Sequence, residues 1–121
     1  MKFVVKKSTL QGTAQIPGNK SATARAIVLG GLAEGVSRVS NPLPGLDSFS
    51  IVGMMQALGA KIDTSNLQEW IFEGVANKPK VANCVLDAGN SGTGYYLLTA
   101  IASLSDGGRT ITVEGGAICT A

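Results

Sequence analysis

Pro17-Gly18-Asn19-Lys20-Ser21-Ala22-Thr23-Ala24-Arg25 is the stretch on which the reading of this chain turns. A Pro-Gly turn delivers the chain into an apolar, helix-forming run, and the pattern predicts a helix from Asn19 to about Ala33. Ala22, Ala26, Leu29 and Ala33 recur at three- and four-residue spacing and are the expected buried face. Gly35 is a suitable stop. Before this helix, Lys2 to Lys6 and Thr13 to Ile16 read as short strands, interrupted by Gly12.

Working outward, Val36 to Ser40 reads as a strand and Asn41-Pro42-Leu43-Pro44-Gly45 as a turn. A second helix is expected next, capped by Asp47 or Ser48, with Ile51, Met54, Met55 and Leu58 as its buried stripe and Gly59 as its end. Lys61 to Thr64 and Glu69 to Glu73 read as two strands joined by a turn at Ser65-Asn66, with Trp70 packed against a helix. After a polar link at Asn77 to Lys80, a strand is expected at Asn83 to Asp87 and a helix from Asn90 to about Leu104. A turn at Asp106-Gly107-Gly108 and a strand at Thr110 to Glu114 follow. Gly18-Asn19 and Gly89-Asn90 both follow a strand and open an apolar helix, which suggests a repeat. The predicted fold class is α/β, with a complete βαβαββ unit followed by the first half of a second, helices packed inside and sheets outward.

Two segments can carry chemistry. A helix start has unpaired N–H groups and the positive end of the dipole, and both favour an anion. Lys20 and Ser21 lie in the first turn, and Arg25 follows Ser21 by one helical turn, so both face the same side. Two cations oppose the dipole at that place unless a phosphate or carboxylate is bound. A capped surface helix with ordinary charges fits the spacing equally well, and the GxxxxGK[ST] spacing of a P-loop is absent. The second segment is Asp87-Ala88-Gly89-Asn90-Ser91-Gly92-Thr93-Gly94. Its glycines allow a ligand close to the backbone, and Asn90, Ser91 and Thr93 can donate hydrogen bonds. By itself it reads better as a capped helix after a tight turn.

Composition narrows the function classes. The chain has 121 residues, of which 45% are hydrophobic and 15% charged, with a net charge of +2. So small an excess, with 5% aromatic residues, argues against nucleic acid as a partner. Histidine is absent, which removes the commonest general base and metal ligand. Cys84 and Cys119 are isolated, so no zinc site is expected and both read as reduced thiols of a cytoplasmic protein. No apolar run of about 18 residues is present, and the charged start Met1 to Lys7 is not a signal peptide.

Taken together, PGNKSATARA, the LAEG that follows at Leu32 to Gly35, and DAGNSGT at Asp87 to Thr93 resemble the enolpyruvyl transferase family that joins phosphoenolpyruvate to shikimate 3-phosphate. Both motifs occur in order and at the family's separation of about seventy residues, and the resemblance runs from about Leu10 to Glu114. The related family acting on UDP-N-acetylglucosamine carries Lys-Asn where this chain has Lys20-Ser21, which argues against it.

The resemblance implies a fold of two lobes built from βαβαββ units that close over the substrates, with no metal and no organic cofactor. Residues 1–17 would be strands belonging to the other lobe plus the crossover. Residues 18–121 would be a partial lobe, with a full repeat at 18–76 and a half repeat at 83–121. Lys20 would contact phosphoenolpyruvate and the hydroxyl of shikimate 3-phosphate. Ser21 and Arg25 would bind shikimate 3-phosphate, while Asn90 and Gly92 would line the phosphoenolpyruvate pocket. This sequence departs from the family at Tyr96, where an arginine is usual, and at Ala24, where histidine or asparagine is usual. Gly115 to Ala121 has none of the arginines the family places there. No catalytic residue is therefore assigned, and the chain alone is expected to be inactive. The expected partners are the two small molecules, and further copies of the chain or a complementing C-terminal chain. The alternative is a non-catalytic binding or assembly module of the same fold.

Overall fold

The structure, a computed structural model, describes residues 2–80, 85–105 and 112–114. The elements are α1 (Lys20–Leu32), β1 (Val36–Ser40), α2 (Leu46–Ala57), β2 (Lys61–Asp63), β3 (Glu69–Glu73), β4 (Val85–Asp87), α3 (Gly92–Ala102) and β5 (Thr112–Glu114). The fold class is α/β, as expected. The turn expected at Asp106-Gly107-Gly108, both cysteines and the segment 115–121 lie outside the described residues.

Asn19 starts α1. Its backbone is extended, and its Oδ1 accepts the Ala22 N–H at 2.9 Å, which satisfies one of the free donors of the first turn. Gly18 is required just before it, because a Cβ there would run into the backbone of Asn41, Pro42 and Leu43. The turn expected at 41–45 therefore packs directly under the start of α1.

The buried face of α1 is not the expected one. Thr23, Ala24, Ile27, Val28, Gly30 and Gly31 are buried, whereas Ala22 is exposed and Leu29 is 68% exposed. From Ala26 to Leu32 this helix has no polar side chain, so spacing alone does not choose a face there. Its neighbours choose it: Gly30 lies against Phe72 and Gly31 against Met55. The expected cap of α2 is also corrected. Gly45 holds that position with no side-chain bond, Asp47 lies in the first turn, and the Ser48 hydroxyl is buried, donating back to the Leu43 carbonyl at 2.9 Å. The predicted stripe of α2 is as expected, with Ile51, Met54, Met55 and Leu58 all at 1% exposure or less.

β3 returns between β1 and β2 and is antiparallel to both, with Val39 opposite Trp70 and Ile62 opposite Phe72. Side chains alternate across the strand. Trp70 and Phe72 point inward and are fully buried, while the other face carries the pairs Arg38–Glu69 at 2.8 Å and Lys61–Glu73 at 2.9 Å. The β2–β3 turn is fixed by Asp63, which accepts the Ser65 N–H at 2.9 Å, a bond that holds its carboxyl below the usual range. β4 and β5 pair in parallel, with α3 as their crossover. The central element is α2, packed on α1 along one side and on α3 and β4 along the other.

The strands expected at Lys2–Lys6 and Thr13–Ile16 are not formed. Residues 2–17 have no ladder partner and are exposed throughout. A strand is held by hydrogen bonds to a neighbour, and residues 2–17 pair with neither of the two described sheets.

Candidate functional site

The start of α1 is built by a chain of hydrogen bonds running through the 41–45 turn. The buried Thr23 hydroxyl accepts the Leu43 N–H at 2.9 Å, and the Leu43 carbonyl accepts the Ser48 hydroxyl. Leu43 thereby ties the first turn of α1 to the first turn of α2. Two helix starts, each with free N–H groups, are held side by side.

Three side chains that the sequence points to lie on this shelf. Lys20 and Arg25 are exposed. Arg25 Nη1 donates to the Ser21 carbonyl at 3.0 Å, so the guanidinium folds back over the first turn and the two residues do share a side. Lys20 Nζ lies 2.9 Å from Asp47 Oδ1, an ion pair between α1 and α2. Sequence reading missed this pair, and also the part played by Thr23. No periodic pattern links positions 20 and 47, which come together only because the turn at 41–45 folds under α1.

The second set belongs to the turn that opens α3. Asp87 Oδ1 accepts the Gly89 N–H at 2.8 Å, and Gly89 has φ of +51°, backbone that favours glycine. The helix starts at Gly92 rather than Asn90, because the buried Ser91 is the cap and its Oγ accepts the Gly94 N–H at 3.0 Å. Asn90 is exposed and lines a cleft of about 640 Å³ between α2 and this turn, together with Leu46, Phe49, Ser50, Val85 and Asp87. Gly92 is not among the residues lining it, and neither is any residue of α1. The two sets are joined through α2, where Leu46 on the cleft precedes Asp47 on the shelf.

Charge is distributed unevenly between the sets. The α1 start has Lys20 and Arg25 against Asp47, whereas the first turn of α3 has no charged side chain. Tyr96 is 74% exposed and stands edge-on to Tyr95 at 5.7 Å. Among the described residues no three His, Cys, Asp or Glu side chains are grouped to hold a metal ion. No helix there is long and apolar enough to cross a membrane.

Comparison with known proteins gives a consistent result. Residues 4–119 match the family model described as EPSP synthase (3-phosphoshikimate 1-carboxyvinyltransferase). The chain is 38% identical over 120 residues to the 3-phosphoshikimate 1-carboxyvinyltransferase of Methanococcus aeolicus, with 99% of this chain and 28% of that protein covered. It is 43% identical over 103 residues to the protein of the same name from Methanocaldococcus jannaschii, with 84% and 24% covered. Among solved structures, EPSP synthase from Acinetobacter baumannii superposes with a TM-score of 0.75 at 30% identity, over 85% of this chain and 24% of that one. The chain thus spans about a quarter of the length of the relatives it matches.

Proposed function

This chain belongs to the EPSP synthase family, and on that premise we propose that it is the N-terminal part of an enolpyruvyl transferase acting on shikimate 3-phosphate and phosphoenolpyruvate. The observation that carries the reading is the α1 start, where Lys20, Ser21 and Arg25 share a shelf with two helix N-termini. Such a place suits a phosphate, through free N–H groups, the helix dipole and two cations. Shikimate 3-phosphate would lie against Ser21 and Arg25, with Lys20 between it and phosphoenolpyruvate. Asn90 and Gly92 would lie on the phosphoenolpyruvate side, toward the cleft along α2.

The chain spans about a quarter of its relatives' length, and by itself it is proposed to bind these compounds without turning them over. The uncharged α3 start, with Tyr96 exposed, favours a second reading, a non-catalytic module that keeps only the shikimate 3-phosphate half of the site. The exposed apolar residues of 2–17, among them Phe3, Val5 and Leu10, are proposed to pair with another polypeptide, either a second copy or a complementing C-terminal chain. A cytoplasmic location and independence from metals and organic cofactors complete the proposal, as do the boundaries 1–17 and 18–121.

Titration calorimetry with shikimate 3-phosphate tests the binding reading. A charge-assisted contact contributes roughly 1.5–3 kcal/mol, so Arg25→Ala is expected to weaken binding about tenfold or more. Equal affinity for wild type and Arg25→Ala would contradict the assignment.

A further inference from the structure

We propose that Asp47 is the positioning residue for Lys20, and that through it the site distinguishes a substrate-sized phosphoester from bare phosphate. This rests on the reading of Lys20 as an anion-binding group. The pair is geometrically one-sided. Asp47 Oδ1 and Lys20 Nζ are 2.9 Å apart, but the Asp47 side chain is 25% exposed and that of Lys20 is 61% exposed. Asp47 projects from the first turn of α2, where the dipole favours a negative charge, while Lys20 is in the first turn of α1, where the dipole disfavours a positive one. The carboxylate is thus the fixed partner, and the four-carbon lysine stem is the part that is placed.

The pair is not what holds the two helices together. The Thr23–Leu43–Ser48 hydrogen bonds do that from buried positions, and α1 packs along α2 through Gly31 and Met55. An ion pair as exposed as this one contributes little to stability after solvent screening. Its consequence is instead the location of one ammonium group, which has three donors and spends one on Asp47, leaving two for a ligand.

Positioning and charge act in opposite directions here. A carboxylate beside the ammonium repels any anion that arrives, so it weakens the site for a small ion that can follow a mobile lysine. A larger phosphoester that also spans Arg25 gains only if Lys20 is already in register with it. Neutralising Asp47 should therefore tighten the binding of inorganic phosphate and weaken that of shikimate 3-phosphate. The preference between the two is the signature, and a merely structural role would not move it.

The test is calorimetric titration of the full chain with inorganic phosphate and with shikimate 3-phosphate, in wild type, Asp47→Asn, Asp47→Glu and Lys20→Met, with each variant's fold checked by circular dichroism. Asp47→Asn is expected to lower the preference for shikimate 3-phosphate over phosphate roughly tenfold, and Asp47→Glu to restore most of it. An unchanged preference in Asp47→Asn, while Lys20→Met weakens both ligands, overturns the role of Asp47 alone. Ligand affinities that Lys20→Met leaves unaltered, or a wild type that binds neither ligand, overturn the reading of Lys20 and the proposal with it.

Discussion

Trp70 illustrates what a single residue contributes to this fold. Its indole is fully buried on β3, tilted against Phe49 with ring centroids 5.6 Å apart, and its Nε1 is without a hydrogen-bond partner among the described residues. A buried donor left unpaired is a cost rather than a gain. The ring's packing must therefore account for its place in the core. Trp70→Ala is expected to destabilise the chain by about 3–5 kcal/mol, the range for emptying a buried aromatic site. Trp70→Phe is expected to cost no more than about half of that, since ring packing persists and no hydrogen bond is lost. Urea denaturation midpoints check both, and equal losses in the two variants would point to a partner for the indole N–H.

At the scale of elements, the sequence is most legible where chain punctuation is unambiguous. Asn19 and Gly59 bound their helices as expected, and β1 and β3 occupy the predicted residues, because caps, glycine stops and β-branched runs act locally. What escaped was decided by tertiary contact. α1 has no polar side chain after Arg25, so its buried face follows from Phe72 and Met55 on other elements. Asp47, read locally as a cap, is drawn instead to a lysine on another helix. Residues 2–6 and 13–16 have the composition of strands, yet a strand without a partner is only an extended chain. Of the site, Ser21 and Arg25 were legible because helical spacing joins them, whereas the Lys20–Asp47 pair was not.

Two glycines give predictions of opposite sign at this scale. Gly53 is exposed in the interior of α2, and a Cβ there would meet nothing within 4 Å. Gly53→Ala should stabilise the chain by roughly 0.5–1 kcal/mol, since alanine loses less conformational entropy in a helix. Gly74 follows β3, where a Cβ would run into the carbonyl oxygens of Ala33 and Gly30. Gly74→Ala should destabilise by about 1–3 kcal/mol, the usual cost of overpacking. Thermal melts of the two variants, read against wild type, should move in opposite directions.

The whole molecule is a packed α/β body with an exposed N-terminal segment. Phe3, Val4, Val5, Leu10 and Ile16 are each at least 74% exposed, an unusual concentration of apolar surface on an extended chain. Light scattering on dilute protein is expected to give a dimer or larger species, with residues 2–16 protected from hydrogen exchange within it. A clean monomer mass with those residues protected would mean that they fold back onto their own sheet, contrary to the proposed assembly.

The start of α1 is proposed to hold the phosphate of shikimate 3-phosphate. The most direct measurement is a titration of ¹⁵N-labelled chain with that compound, followed by amide chemical shifts. Saturable shifts are expected at residues 19–25 and along the adjoining turn at 41–47, with the outer face of β1, β2 and β3 unmoved. Shifts confined to that outer face, or saturation that leaves residues 19–25 unperturbed, would contradict it.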